Sequence, residues 1–433
     1  MAIRMPPTLA GSGVTAFDQP PSHSERSVHR TTQSRVTRFD RWICRHVQSS
    51  IAPSRVRLEL WDGSGAANAP SEPVGALLVR DRGTLIGLAA NSDLWFGEGY
   101  MTRRLEVRGA VREVFEALSR ASLRDPSWRE RASAALAFAN TRSGSRRNVQ
   151  HHYDLGNKFY ELWLDRELVY TCAYFPDRTM PLEAAQRAKL DLVCRKLRLK
   201  PGETVCEAGC GWGALALHMA RHYGVRVTAF NVSREQLDYA RARAAREGLT
   251  HRVEFVDDDY RNAAGTFDAF VSVGMLEHVG LRHFSSLAAV LRRTVRRNGG
   301  RGFLHFIGRD VQRPLNPWIR RRIFPGAYPP TLAEVTTRVL APAGMTVTDV
   351  ENLRLHYART LALWGERFAA AEEQIVATFG DEFARAWRLY LSGSEAAFAT
   401  GWMQLFQVVF TPRESNPPSW TRADPHELSG FGA

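Results

Sequence analysis

The stretch Thr204-Val205-Cys206-Glu207-Ala208-Gly209-Cys210-Gly211-Trp212-Gly213 constrains the fold of this chain more than any other. A short apolar run enters a glycine-dense turn, and a helical pattern from Ala214 to His222 leaves it. That is a strand, a tight loop and a helix N-terminus. Glycine lets the backbone turn sharply and approach a ligand closely. The helix start supplies N–H groups with no partner inside the helix. The spacing is G-x-G-x-G, not the G-x-G-x-x-G of dinucleotide binders. Glu207, just before the glycines, would repel a pyrophosphate but can pair with a cationic amino group. The combination suits S-adenosylmethionine, which carries an ammonium and a sulfonium. An ordinary strand-to-helix turn is the bland alternative, and the order of elements downstream argues against it.

After this stretch, strand and helix alternate. Strands are expected at Val225 to Phe230, Arg252 to Val256, Phe267 to Val273 and Gly302 to Ile307, with helices at Ser233 to Glu247 and Phe284 to Val295. Such alternation implies a doubly wound, mostly parallel α/β sheet with helices on both faces. Two later runs, Met345 to Val350 and Leu405 to Phe410, add an antiparallel edge and bring the sheet to seven strands. Helices are expected between them, over Arg354 to Phe379 and Asp381 to Leu391. Ligands of such sheets bind at the carboxyl ends of the strands.

The rest of the chain divides by composition. Residues 1–50 read as a basic disordered tail followed by a short amphipathic helix, with Phe39, Trp42, Ile43, Val47 and Ile51 at helical spacing. Arg41 and Arg45 beside that stripe suit a membrane surface, and packing on the next domain is the favoured alternative. Residues 51–122 form a small α+β unit. Its expected strands include Arg57 to Trp61, Val74 to Val79 and Thr84 to Leu88, with a loop at Gly97 to Met101 and a helix from Val111 to Leu118. It carries no catalytic constellation and reads as a docking or scaffold domain. Residues 123–150 are an Arg-rich linker, 151–415 the main domain, and 416–433 a flexible tail. A helix from Pro181 to Leu197 precedes the glycine loop.

The 433 residues carry a formal charge of +13, so the chain is expected to seek anions. No nucleic-acid module is recognisable, which leaves an anionic membrane surface or acidic substrates. No apolar run approaches the ~20 residues needed to span a bilayer, and the N-terminus has no apolar signal segment. Five cysteines with no C-x-x-C pair indicate neither a disulfide framework nor a zinc site. The expected setting is the cytoplasm, with peripheral contact to the inner face of the membrane. Trp318, Arg320, Arg321, Arg322, Ile323 and Phe324 suggest a lipid-headgroup surface, or else a solvated loop.

Polar residues gather at the strand ends. Asn231, Val232, Ser233 and Gln236 close the second strand, where they serve as helix cap, capping box or ribose contact. Asp257 to Asp259, with Tyr260, close the third, as an acceptor for an adenine amino group or as a solvated turn. Glu277 and His278 follow the fourth strand, and His305 with Ile307 ends the fifth. With Cys172 and Tyr357 they make a polar cluster in an apolar pocket.

The runs YDLGNKFYELWLD, YTCAYF, CEAGCGWG, NVSREQ, MLEHVG, FLHFIG, IFPG and HYARTLALW, in that order over about residues 145–415, resemble the cyclopropane-fatty-acyl-phospholipid synthase family, which includes the mycolic acid methyltransferases. The resemblance implies a class I methyltransferase fold and S-adenosylmethionine as cofactor. It implies methylation of the double bond of an unsaturated acyl chain. The small domain, with FGEGYM, is similar to that of the bacterial phospholipid enzymes, which implies a phospholipid substrate. Tyr170 and Thr171, the glycine loop (Glu207, Gly209, Cys210, Gly211, Trp212, Gly213), the segment Asn231, Val232, Ser233 and Gln236, and Asp259 with Tyr260 fall where the family contacts the cofactor. The resemblance further places a bicarbonate ion against Cys172, Glu277, His305, Tyr357 and the backbone N–H of Ile307. Dimerisation through the N-terminal domain is an expectation of the resemblance alone. Two departures stand out: Glu207 replaces the family's common Asp, and Ser394 stands where some members have a cysteine, which excludes a cysteine nucleophile there. A rearranged carbocation would give a methylene- or methyl-branched chain from the same residues.

Overall fold

The computed structural model describes residues 35–121 and 155–415. The start of the basic tail, the Arg-rich linker, His151 to Asp154 and the C-terminal tail lie outside the described residues.

The N-terminal unit begins with α1 (Arg38–Ile51), started by a capping box between Thr37 and Asp40. The buried Asp40 carboxylate also accepts from the Arg82 guanidinium at 2.6 and 2.7 Å, which holds its pKa down at about 2 and fixes α1 to the start of α2. Then follow β1 (Val56–Glu59), β2 (Gly75–Val79), α2 (Arg82–Ala90), α3 (Ser92–Met101), β3 (Leu105–Arg108) and α4 (Val111–Ala121). The strands form a sheet in the order β1-β2-β3, with β1 and β2 parallel and β3 antiparallel. Two expectations fail here. Thr84 to Leu88 is helix, not strand, because Asp81 caps it by accepting from Thr84 N–H at 3.0 Å. Gly97 to Met101 ends α3 instead of forming a loop. Gly97 marks a close approach: a Cβ there would sit 2.2 Å from Trp318 Cγ.

The main domain opens with α5 (Asn157–Glu161) and α6 (Leu182–Lys196), Pro181 standing one position before the helix as its N-cap. It continues with β4 (Thr204–Ala208), α7 (Ala214–Tyr223), β5 (Arg226–Asn231), α8 (Arg234–Arg246), β6 (Val253–Asp257), β7 (Ala269–Val273), α9 (Phe284–Thr294) and β8 (Arg301–Gly308). After α10 (Pro317–Arg322) come β9 (Met345–Asn352), α11 (Arg354–Ala370), α12 (Glu372–Phe379), α13 (Asp381–Thr400) and β10 (Gln404–Pro412). The seven strands lie in the order β6-β5-β4-β7-β8-β10-β9. Strands β4 to β8 are parallel. Only β10 is reversed: it pairs antiparallel with both β8 and β9, so the edge strand β9 runs in the same sense as β8. The antiparallel element is thus inserted beside the edge rather than forming it.

Side-chain alternation along each strand feeds two cores. Val205, Val227, Val271 and Phe303 pack with α6, α7 and α8 on one face. Cys206, Phe270, Leu304 and Phe306 pack with α9 on the other. A third core joins α11 and α13 to the N-terminal unit, with Trp163, Trp318, Trp364 and Trp387 in one cluster with Val56, Leu58 and Leu105. Polar clamps seal that junction. Arg322 donates twice to Glu98 (2.9 and 2.7 Å), and Arg103 donates twice to Asp381 (2.7 Å each). Arg385 donates to Tyr100 O at 2.7 Å and lies over its ring at 4.3 Å. The segment expected as a headgroup surface is therefore partly consumed by this junction: Trp318 is buried against α3, and Arg322 is engaged.

Gly97→Val is expected to destabilise the protein by about 1–3 kcal/mol through overpacking against Trp318. Gly365→Ala, a helical position with open space around it, is expected to stabilise by roughly 0.4–1 kcal/mol. Thermal unfolding of both variants reads the contrast, and an unchanged melting temperature for Gly97→Val contradicts the packing account.

Candidate cofactor and active site

The carboxyl ends of β4, β5, β6 and β7 converge on a cavity of about 180 Å³. Twelve of the sequence-predicted cofactor residues line it: Tyr170, Thr171, Glu207, Gly209, Cys210, Gly211, Trp212, Asn231, Val232, Gln236, Asp259 and Tyr260. Gly213 and Ser233 do not. Gly213 turns the chain into α7 with φ +82°, and a Cβ there would meet Phe255 at 2.8 Å and Ala240 at 2.9 Å. Ser233 caps α8, its hydroxyl accepting from Gln236 N–H at 3.5 Å. The expected capping box is only half formed. The Gln236 side chain turns instead to Asn231, accepting from its Nδ2 at 2.9 Å. Asn231 also donates to Gly211 O at 3.1 Å and accepts from Val232 N–H at 2.8 Å, so it shapes the loop. The Asp259 carboxylate is gripped by Arg261 (2.8 and 2.7 Å), which places it at the cavity wall as part of an ion pair. Trp212 Nε1 donates to Asn157 Oδ1 at 2.7 Å, so α5 closes over the glycine loop.

Electrostatics single out Glu207. It is buried, its Oε2 has no hydrogen-bond partner, and burial raises its pKa to about 8, opposed by the charge of Lys189. A carboxylate left so is matched to a cationic ligand. Lys189, which the sequence reading missed, lines the same cavity and donates to Thr171 Oγ1 at 2.9 Å. Burial lowers its pKa to about 8.

The second group of expected residues stands outside that cavity's lining: Glu277 in the turn after β7, His305 and Ile307 on β8, Cys172 before α6 and Tyr357 on α11. Glu277 Oε1 accepts from Ile307 N–H at 3.0 Å, and Oε2 is buried without a partner. Burial raises this carboxyl to about 7 against the pull of that N–H. His305 lies two residues before Ile307 on β8, with its Nε2 buried and unpartnered. Burial, with the charges of Lys189 and Lys196, holds the imidazole well below its usual pKa, so it is neutral. Cys172 directs its thiol to Ala173 O and Leu353 O (3.1 and 3.9 Å), and burial pushes its pKa far up. It is a weak donor, not a nucleophile. Leu353 O also accepts from Tyr357 N–H at 3.1 Å, which links Cys172 to Tyr357. Leu353 N–H donates to Leu405 O, and Leu405 faces Ile307 across the β10–β8 pairing. Aromatic rings surround the group: Tyr357 packs on Phe398 at 4.5 Å and on Trp364 at 6.0 Å, and the Tyr170 and Tyr390 hydroxyls meet at 3.0 Å.

Lys189 had a readable signal. The buried face of α6 repeats through Leu182, Ala185, Gln186, Lys189, Leu192, Val193 and Lys196. Two lysines and a glutamine at core positions mark buried polar contacts.

A parallel sheet with a glycine loop after its first strand, and a buried acid aimed into the cavity at the strand ends, defines an S-adenosylmethionine-dependent class I methyltransferase. Residues 140–408 match the family model described as mycolic acid cyclopropane synthetase, and the chain belongs to that family. It is 37% identical to a probable fatty acid methyltransferase of Pseudomonas putida, over 85% of this chain and 95% of that protein. It is 39% identical to the cyclopropane-fatty-acyl-phospholipid synthase of Escherichia coli K12, over 60% of this chain and 67% of the relative. A mycolic acid cyclopropane synthase solved in complex with SAH and CTAB superposes with TM-score 0.58 at 30% identity, over 61% of this chain and 97% of the solved one.

Cofactor affinity is expected to tighten as pH rises from 6.5 to 7.5, by up to about tenfold per unit. The sign follows from the groups: Glu207, with a pKa of about 8, is mostly protonated at pH 6.5, the ligand's ammonium favours its ionised form, and Lys189, also at about 8, keeps most of its charge over this range. Calorimetry across pH, with Glu207→Gln expected to weaken and flatten the profile, checks this. A pH-independent dissociation constant contradicts it.

Proposed function

We propose that this protein transfers the methyl group of S-adenosylmethionine to the cis double bond of an unsaturated phospholipid acyl chain and closes a cyclopropane ring there. The observation that carries the reading is the pair of buried, unpartnered polar atoms Glu277 Oε2 and His305 Nε2, on adjoining strand ends beside the cofactor cavity. An alkene is a weak nucleophile, so the chain's task is alignment and exclusion of water. The sulfonium of the cofactor supplies the electrophilic methyl. Tyr357, Trp364, Phe398 and Tyr170 provide dry walls, and their ring faces favour the cationic carbon left by methyl transfer.

Ring closure needs a proton to leave the added methyl. Bicarbonate, the ion implied by the family resemblance, suits the residues present. Bound there, it would supply a small base in a site without water. Glu277, with a pKa near 7, can share a proton with such an anion instead of repelling it. Neutral His305 adds a donor without a competing charge, and the Cys172 thiol would join it only by turning from the Ala173 and Leu353 carbonyls. The Ile307 N–H, expected against the ion itself, is instead given to Glu277 and holds that carboxyl.

A second reading ends the same transfer in a methylene- or methyl-branched chain. A relative aligned over 85% of this chain is described as a probable fatty acid methyltransferase, a name that commits to methyl transfer and not to a ring. Expression in a bacterium lacking cyclopropane synthase, with mass spectrometry and proton NMR of phospholipid fatty acids, separates the two. Gain of one CH2 with upfield ring protons supports the first reading, and vinylidene or methyl-branch signals support the second. No gain from soluble, cofactor-bound protein overturns both. The Glu277→Gln, His305→Ala double variant is expected to lose at least about 10²-fold in rate, as for lost proton-transfer groups.

The bilayer surface is reached, in this reading, through α1. Its outward face presents Arg38, Phe39, Arg41, Trp42, Arg45 and His46, while its one acid, Asp40, is buried. Phe39 and Trp42 are 55% and 57% exposed, and the rings of Phe39, Trp42 and His46 stack in a row at 6.1 and 6.2 Å. Aromatic and cationic groups with no exposed acid suit an anionic lipid surface. No helix among the described residues is long and apolar enough to cross a membrane. Binding to phosphatidylglycerol vesicles is expected to weaken with salt and with Phe39→Ser, Trp42→Ser. Equal binding to phosphatidylcholine vesicles contradicts the electrostatic part.

A further inference from the structure

A buried polar row crosses three strands where apolar residues would be ordinary. His305 on β8 faces Gln407 on β10, and Gln407 faces Glu351 on β9. Gln407 is fully buried between Phe406 and Val408. Below the row, α6 delivers Lys196, whose side chain is 1% exposed. The Lys196 ammonium donates to Glu351 at 2.5 Å and to Gln407 Oε1 at 2.8 Å, with Asp349 at 3.6 Å. A buried hydrogen-bond network of this kind has a consequence for each member.

An ammonium has only protons to give. Lys196 therefore fixes which end of the Gln407 amide is oxygen. The other end, Nε2, then lies 3.2 Å from His305 Nδ1. An amide NH2 only donates, so Nδ1 of the neutral ring must accept. The single ring proton is left on Nε2, the atom that is buried with no protein partner.

We propose that Gln407, itself oriented by Lys196, is the positioning residue that holds the proton of His305 on Nε2 and presents it as a hydrogen-bond donor to the reaction site. The inference rests on the reading of His305 as part of that site. Reversal of the amide would put an oxygen against Nδ1, draw the proton there, and turn Nε2 into an acceptor. It would also set the amide NH2 against the ammonium of Lys196. The buried cation opposes that reversal, which gives the lysine at this core position of α6 a role.

The test is made on the full chain labelled with ¹⁵N-histidine, the His305 signals being assigned by comparison with His305→Ala. The native protein is expected to show the Nε2–H tautomer at His305. Gln407→Glu keeps the shape but places an acceptor at Nδ1. It is expected to switch the signal to Nδ1–H and lower kcat by roughly 10- to 100-fold, the range for groups that orient an active residue, with cofactor KM and melting temperature nearly unchanged. Gln407→Met, which has no donor, is expected to give a mixture of tautomers and an intermediate loss; it decides the matter should the buried acid prevent folding. Either an Nδ1–H tautomer in the native protein or full kcat in a tautomer-switched Gln407→Glu overturns the proposal. Retention of Nε2–H in Gln407→Glu overturns it as well. Full activity of His305→Ala would instead remove the reading of His305, while the NMR result still decides how the tautomer is set.

Discussion

The antiparallel seam between β8 and β10 runs from Gly302–Phe410 to Gly308–Gln404, and every residue of β10 in it is buried. Its hydrogen bonds do more than extend the sheet. They set Leu405 against Ile307 and Gln407 against His305, and through Leu405 O they anchor Leu353 at the start of α11. From Leu353 the chain reaches Tyr357 and Cys172. A one-residue slip would turn each of these side chains to the opposite face. The register of β10 thereby holds together groups more than two hundred residues apart in sequence.

Burial governs the chemistry of the site. Glu207, Glu277, His305 and Lys189 are all shifted toward their neutral forms, and in each case desolvation is the largest cause. Aromatic residues of α11 and α13 pack in the core that includes Cys172 and Tyr357. Neutral groups in a dry site can exchange or share protons near neutral pH without the penalty of a bare buried charge. A cationic ligand beside Glu207 then favours the ionised form of that carboxyl.

The N-terminal unit belongs to this arrangement physically, not only as a neighbour. Its core is continuous with the cap through Trp318 and Trp387, and Arg103, Glu98 and Tyr100 clamp it to α13 and α10. Helix α1 lies on the unit through Ile43, Cys44 and Val47, and turns its aromatic and cationic side outward. The amphipathic pattern of α1 thus serves both packing and exposure. The same helix period carries two different stripes.

The sequence alone determined the parallel strand order's raw material, the cofactor loop and most of its lining, because hydrophobic period, glycine spacing and strand-end polarity are local properties. The same locality misled it at Thr84 to Leu88, where β-like composition yields to the Asp81 cap, and at Gly97, where a loop-like glycine makes room for Trp318. Tertiary structure decided the insertion of β10 between β8 and β9. It also decided the pairing of Ile307 N–H with Glu277, and the meeting of Lys196, Gln407 and His305. Contacts of that kind depend on register and on burial, and no short stretch of chain contains either.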